Sequence, residues 1–428
     1  RQPGRTTRPE QAPGTVPIMT TTVEEAIVDR IEEAEFCSRV KTFLETNCNR
    51  ISEDQEMVGA EDADVIVRMK TFQGSLVEAG LAALAYPAEF GGAGLTKRHQ
   101  ELFDQASKGW YLPNSALSIS HGMCLPMLNQ FGTDDQKSRF MPDCISGTTT
   151  WCQLFSEPGA GSDVAGLATR ATRDGDQWIL NGQKVWTSGA HYADYGLIVA
   201  RTDPTLPKHQ GLSMFIVDMS DPAVEVRPLR QISGGTGFNE VFFTDTQIPA
   251  DWLLGGLNQG WNLAVAMLMF ERVSIGAGGG AMNANRAPGL IRLAQDLGRS
   301  EDPLIRQALA DLWIRERIRG FIGQRIRRAV QAGNVPGPEG SIAKLNAAVI
   351  ARAIRDATMG LVGVTGQAWA ADTDGGDRWA VGCLSASGIS IAGGTDEVQR
   401  NIIGERVLGL PKEPDPYKGA AWETVPRN

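Results

Sequence analysis

Residues 176–189 read DQWILNGQKVWTSG. Two runs rich in β-branched and aromatic residues flank Asn181-Gly182, and Asn-Gly in that setting is the strongest short signal for a β-hairpin. GLIVART (196–202), GLSMFIVDM (211–219) and NEVFFTDTQIP (239–249) are further strand-like runs. The chain from about 150 to 255 is therefore expected to be a β-domain.

Both flanks carry a different period. VEEAIVDRIEEAEFCSRVKTFLETN (23–47) and DADVIVRMKTFQGSLVEAGLAAL (62–84) repeat apolar residues every three or four positions, the period of an amphipathic helix. Glycine and proline end the second run in YPAEFGGAGL (86–95). After the β block, helices are expected at 261–284, 303–332, 341–362 and 395–408. Helices, then strands, then helices is a segregated α+β order, not the alternation of a Rossmann sheet. The expected units are a flexible tail or expression remnant (1–21), an N-terminal α-helical domain (22–148), a middle β-domain (149–257), a C-terminal helical bundle (258–412) and a C-terminal tail (413–428).

Composition narrows the function. With 428 residues the chain exceeds one small core, and its net charge of −9 argues against a nucleic-acid binder. The six cysteines show no CxxC spacing, which fits a reducing, cytoplasmic setting rather than a disulfide framework. The four histidines, 99, 121, 191 and 209, offer no metal-ligand spacing. No apolar run reaches the roughly 20 residues of a membrane span. The stretch that comes closest, LAVAMLMFERVSIGAGGGAM (263–282), is broken by Glu271-Arg272. A charge in such a segment costs several kcal/mol unless it is paired or hydrogen-bonded, so this acid needs a reason.

WCQLFSEPGAGSDVAG (151–166) contains a tight Gly-rich loop whose backbone N–H groups suit anionic or polar ligand groups. On its own, the loop reads equally well as a surface turn. Together with NGQKVWTSG (181–189), FNEVFFTDTQIPADWLLG (238–255) and GGTDEVQRNIIGERVLGLP (393–411), in this order and at these separations, it resembles the acyl-CoA dehydrogenase family of flavoproteins from about residue 23 to 411.

The resemblance implies the α-domain, β-domain and four-helix-bundle order, with FAD bound non-covalently between the middle and C-terminal domains. The implied reaction is α,β-dehydrogenation of an acyl-CoA thioester. The implied partners are an electron-transfer flavoprotein as acceptor and a homotetramer, or a heterotetramer with a related subunit. Residue by residue, it implies that Gln153, Leu154, Phe155 and Ser156 lie along the flavin ring, and that Gly161 continues this loop. Ser162 then meets the CoA part of the substrate, with a plain turn hydroxyl as the alternative. Trp186 packs on the flavin, or is ordinary core, and Thr187 and Ser188 supply polar cofactor contacts. Gly394 and Thr395 read as a turn and N-cap, with Asp396 and Glu397 in the first helical turn. The resemblance adds cofactor contacts from Thr395 and Glu397, and substrate contacts from Gly393 and Gly394.

Many members place their catalytic glutamate immediately before Gly-Thr in this loop, where this chain has Gly393. Glycine cannot take a proton, but its N–H can still polarise the thioester carbonyl. A subgroup, including members acting on branched chains, carries the base on the first C-terminal-domain helix as Glu-Arg in an apolar run. MFERVSIGAGG (269–279) fits that pattern, so Glu271 is the expected base. A carboxylate in an apolar site is a stronger base once substrate expels water. Arg272, about 100° away around the helix, is expected to make a separate structural or substrate contact. Structural salt bridges at a subunit contact are the alternative for this pair.

The vacated loop position implies a branched or bulky acyl group, with a steroid side chain as one candidate. The stretch 292–312 departs from the family motif whose arginine reaches a neighbouring subunit's FAD, and 359–369 departs from the motif that contacts the adenine end. That motivates a second reading, a non-catalytic subunit completing a partner's flavin site. A third is oxidase or monooxygenase chemistry on the same fold.

Overall fold

In the computed structural model the described residues are 23–51, 63–277, 287–331, 337–367 and 376–426. The expected N-terminal tail, 1–21, falls outside them. In chain order, the first domain comprises α1 (Val23–Asn47), β1 (Asn49–Arg50), α2 (Ala63–Glu78), α3 (Lys97–Ala106), β2 (Trp110–Tyr111), α4 (Leu125–Phe131) and α5 (Asp134–Ser146). α2 buries Val65, Ile66, Met69, Phe72, Gln73 and Leu76, one stripe at helical spacing. α5 begins at a capping box in which Thr133 and Gln136 bond each other's backbone. Gln136 then donates to Asp251 O at 2.6 Å and Leu253 O at 3.0 Å, tying this domain to the end of the next.

The middle domain contains β3 (Trp151–Leu154), β4 (Arg170–Asp174), β5 (Gln177–Ser188), β6 (Tyr195–Arg201), β7 (Leu212–Asp218), β8 (Val224–Leu229), β9 (Phe238–Pro249) and β10 (Leu253–Leu254). They form one eight-stranded sheet in the order β10-β7-β6-β4-β5-β9-β8, with β3 pairing β6 in parallel. Only Arg170↔Arg201 pairs β4 with β6, so this single bridge joins the two halves.

The expected hairpin is displaced. Asn181-Gly182 lies inside the continuous strand β5, and the chain reverses one turn earlier, at Gly175-Asp176, where Asp174 pairs Gln177 and Gly175 has φ 58°. Asn181 is instead held across the sheet. Its amide donates to Asp245 Oδ1 at 2.9 Å, and Asp245 N donates back to Asn181 Oδ1 at 3.0 Å. These contacts sit where the β5–β9 register shifts, between Leu180 and Gly182. The Asn-Gly pair therefore serves a bulge between two long strands.

The C-terminal domain contains α6 (Gly260–Ala277), α7 (Ala287–Asp296), α8 (Pro303–Gln331), α9 (Gly340–Val362), α10 (Gly376–Ser385) and α11 (Asp396–Ile402), the last followed by a π turn, Ile403–Val407. α7, α8 and α9 share a small core of Leu290, Ile305, Leu309, Leu312, Ile350 and Leu361, and α6, α10 and α11 pack on α9. α6 has a second attachment. Its Leu263, Ala264 and Met267 belong to the large core that joins the first two domains.

Candidate active site

The middle domain contributes one bank. Gln153 and Leu154 end β3, and the loop beyond is anchored by Lys184, which is fully buried on β5. Its ammonium donates to Phe155 O at 3.0 Å and to Glu157 Oε1 at 2.8 Å. The Glu157 carboxylate also accepts from Ala168 N at 2.6 Å and Thr169 N at 3.0 Å. Burial alone would raise the Glu157 pKa, but the adjacent ammonium and these donors bring it below the ordinary carboxylate value. One ion pair thus closes both ends of the loop. Its tip is left open: Gly159, Gly161 and Ser162 are exposed, and a Cβ on either glycine would meet nothing within 4 Å.

Beside this loop, Val185 N donates to Ser156 O at 2.9 Å, bringing Ser156 against the Trp186 segment. Between Lys184↔Val241 and Thr187↔Asn239, β5 has two residues where β9 has one. Trp186 sits in that bulge at φ 60°, and its indole is 55% exposed and edge-on to Phe238. A bulge re-aims a side chain, and this one turns a tryptophan outward that a regular strand would bury or pair. Leu154, Phe155 and Thr187 are buried, and Phe155 O is taken by the Lys184 ammonium.

The C-terminal domain contributes the second bank. Glu271 is half-buried and lies one helical turn beyond Met267 on α6, where the stripe 264–267–271 leaves the core. Arg272 follows in the same helix, with its side chain outside the described residues. The turn before α11 has two consecutive left-handed glycines, Gly393 (φ 63°) and Gly394 (φ 85°). Thr395 is the N-cap, its hydroxyl accepting from Val398 N at 3.1 Å. Buried Gln399 reaches back and donates to Gly393 O at 2.8 Å and Gly394 O at 3.3 Å.

Asp396 does more than cap. It is buried and paired with Lys344 (3.4 Å) and Arg352 (2.9 Å) of α9, and Arg352 also bonds Ser390. Burial raises its pKa, but these two cations outweigh that and hold it below the ordinary value. Glu397 is exposed and pairs with Arg400 at 3.3 Å. Since α6 and α11 both pack on α9, one helix carries the elements that bear Glu271 and Gly393.

Three buried polar atoms have no hydrogen-bond partner here: Thr187 Oγ1, Asn239 Oδ1 and Gln399 Oε1. Seven further buried polar atoms among the described residues also lack a partner, so it is the place of these three, on both banks, that leaves them open to a polar ligand. Together with the outward Trp186 indole they fit a flat heteroaromatic group with amide-like edges, as FAD has. Sequence reasoning missed Lys184, Glu157, Gln399, Lys344 and Arg352. Lys184 had a signal, since it shares the inward parity of Trp178 and Leu180 on β5. Among the described residues there is no cluster of three metal-ligating side chains, and no helix is long and apolar enough to cross a membrane.

Comparison with known proteins matches residues 31–148, 152–246 and 258–408 to the N-terminal, middle and C-terminal domains of acyl-CoA dehydrogenase. "Acyl-CoA dehydrogenase IpdE1" of Mycobacterium tuberculosis is 39% identical over 345 residues, covering 79% of this chain and 87% of that protein. The protein of the same description from Mycolicibacterium smegmatis is 34% identical, covering 90% of this chain and 99% of its own. Among solved structures, "Tcur3481-Tcur3483 steroid ACAD" superposes with TM-score 0.74 at 25% identity, covering 90% of this chain and 98% of that one. The ChsE4-ChsE5 complex from Mycobacterium tuberculosis, at 24% identity and TM-score 0.68 over 92% of this chain and 100% of that one, shares the fold.

Proposed function

The chain belongs to the acyl-CoA dehydrogenase family of oxidoreductases, and from that premise we propose that it desaturates a branched or bulky acyl-CoA thioester with Glu271 as the base. The carrying observation is the division of labour between two elements. The loop before α11 offers glycine where an acid is needed, while an acid stands on α6 where its apolar stripe leaves the core. Glu271 removes the α-proton of the thioester. The turn that carries the Gly393 N–H is fixed from below by Gln399 and Asp396, ready to receive the thioester oxygen. A hydrogen-bond donor fixed in advance lowers the cost of the enolate that proton removal creates. Bound FAD supplies a hydride acceptor for the β-hydrogen. Trp186, Thr187, Ser188 and Ser156 on one bank and Thr395 on the other hold it.

A steroid-derived acyl group is the substrate class proposed. The lack of a side chain at Gly393 supports it, as does likeness to a protein described as a steroid ACAD. The proposed assembly is a tetramer, homomeric or with a related subunit, and the proposed acceptor is an electron-transfer flavoprotein. Glu271→Gln tests the reading: turnover should fall by about 10²- to 10⁴-fold, the range of a positioned acid–base group, with flavin absorbance per chain unchanged. Near-normal turnover would remove Glu271 from the reaction.

A further inference from the structure

The segment following α11 does not trail away from the molecule. Residues 421–424 return to the middle domain, where Ala421 bridges Pro207, Trp422 N donates to Leu206 O at 2.9 Å and Glu423 N donates to Pro204 O at 3.1 Å. The Trp422 side chain is 9% exposed. Its indole N–H donates to Gly166 O at 3.3 Å, and its ring covers the Arg201 guanidinium with the carbon 4.3 Å from the ring centroid.

Arg201 is itself a loop organiser. Buried at the end of β6, it donates to Ala165 O at 2.6 Å, Leu167 O at 3.2 Å and Lys208 O at 3.0 Å. Lys208 in turn pairs with Asp163 at 2.8 Å, next to Ser162. The loop that begins at Ser156 is thus fastened at its far side by an assembly whose outer layer is Trp422.

We propose that the C-terminal segment is a clasp and Trp422 a positioning residue. By excluding water from Arg201 and bonding Gly166 O, it holds the 161–166 arm in the shape that receives the CoA part of the substrate. This rests on the proposed function and on the contact with the CoA part of the substrate that the family resemblance implies for Ser162. Without the indole, water reaches the guanidinium and its bonds to three main-chain carbonyls compete with solvent. Ala160 is buried and pairs with Glu157, but Gly161 beyond it is exposed and a Cβ there would meet nothing within 4 Å, so the arm from Gly161 onward depends on the Arg201 assembly. The effect falls on binding of the thioester, because Glu271 and Gly393 lie on the other domain.

The test compares wild type, Trp422→Ala and Trp422→Phe as flavin-loaded enzyme with a turned-over acyl-CoA. Steady-state kinetics and hydrogen exchange of the 160–168 amides are measured together. Trp422→Ala should raise KM about tenfold with kcat within a factor of two, and should speed exchange in the arm. Trp422→Phe, which keeps the cover over Arg201, should recover most of both. Unchanged KM in Trp422→Ala, or a loss confined to kcat, overturns the clasp. It leaves the proposed function standing, because wild type still turns over. A flavin-loaded wild type that is not reduced by any acyl-CoA overturns the proposed function and the clasp with it.

Discussion

Lys184 and Glu157 show how one buried pair can shape a binding loop. Neither charge would be tolerated alone, since removing one partner of a buried pair costs about 3–5 kcal/mol by leaving the other uncompensated. Lys184→Met should therefore lower the urea midpoint markedly at neutral pH. The Glu157 pKa is depressed in the fold, so its share of stability is present above the ordinary carboxylate pKa of about 4 and is lost as pH falls through the lower folded value. In Lys184→Met the sign reverses. The unpaired buried carboxyl has its pKa raised, and protonation relieves it as pH falls. The stability gap between wild type and variant should narrow from pH 7.5 to pH 5.5. A gap independent of pH would show that the loss comes from packing of the lysine stem rather than from the charge on Glu157. The pair was missed in the sequence, although a lysine on the inward parity of a strand is a signal of a buried charge. The partner's identity was not legible, because 27 residues separate the two in sequence and only the β3–β5 packing brings them together.

At the scale of elements, the long helices followed directly from their period and their stops. α8 and α9 end within a residue or two of the expected bounds, since proline, glycine and a strong apolar stripe act locally. The strand DQWILNGQKVWTSG did not follow. Asn-Gly is a turn signal only when its flanks pair with each other, and here both flanks pair with β9 instead, a choice made by residues more than 50 positions away. Gly182 has φ 151°, and a Cβ there would lie 2.7 Å from Thr169 Cα. Gly182→Ala should therefore cost about 1–3 kcal/mol through backbone strain and collision, read as a lower thermal midpoint. Gly175→Asn, in the turn that does reverse the chain, should be nearly neutral, because its φ of 58° suits asparagine and nothing lies within 4 Å of the added Cβ. If the two substitutions cost the same, the bulge reading of Gly182 is wrong. The second bulge matters more for the site. It turns Trp186 outward, and no sequence rule predicts which strand residue a bulge will expel.

At the scale of the whole molecule, the evidence for assembly lies on α8. Ile305, Leu309 and Leu312 face the bundle core, while Ile314, Ile318 and Phe321, nine residues further on in each case, occupy the opposite side at 47–55% exposure. Nine residues at 100° each is half a turn, so the helix is apolar on two opposite faces, the pattern of a helix covered on both sides. Among the described residues only one of them is covered. The proposed assembly gives the second face its cover, and in the heteromeric reading a related subunit supplies the flavin contacts that the departures at 292–312 and 359–369 take away. Phe321→Asp combined with Ile318→Asp should therefore lower the sedimenting mass toward one chain. Visible flavin absorbance should fall with it, although neither residue belongs to the banks that hold Trp186 and Gly393. The same absorbance, measured on the unmutated chain purified alone, separates the two assemblies. A yellow protein that bleaches with acyl-CoA under anaerobic conditions is complete as a homomer. A colourless one that turns yellow only when co-expressed with a related subunit is half of a heteromer. Full mass and full flavin in the double variant would mean that the second apolar face of α8 is not where subunits meet.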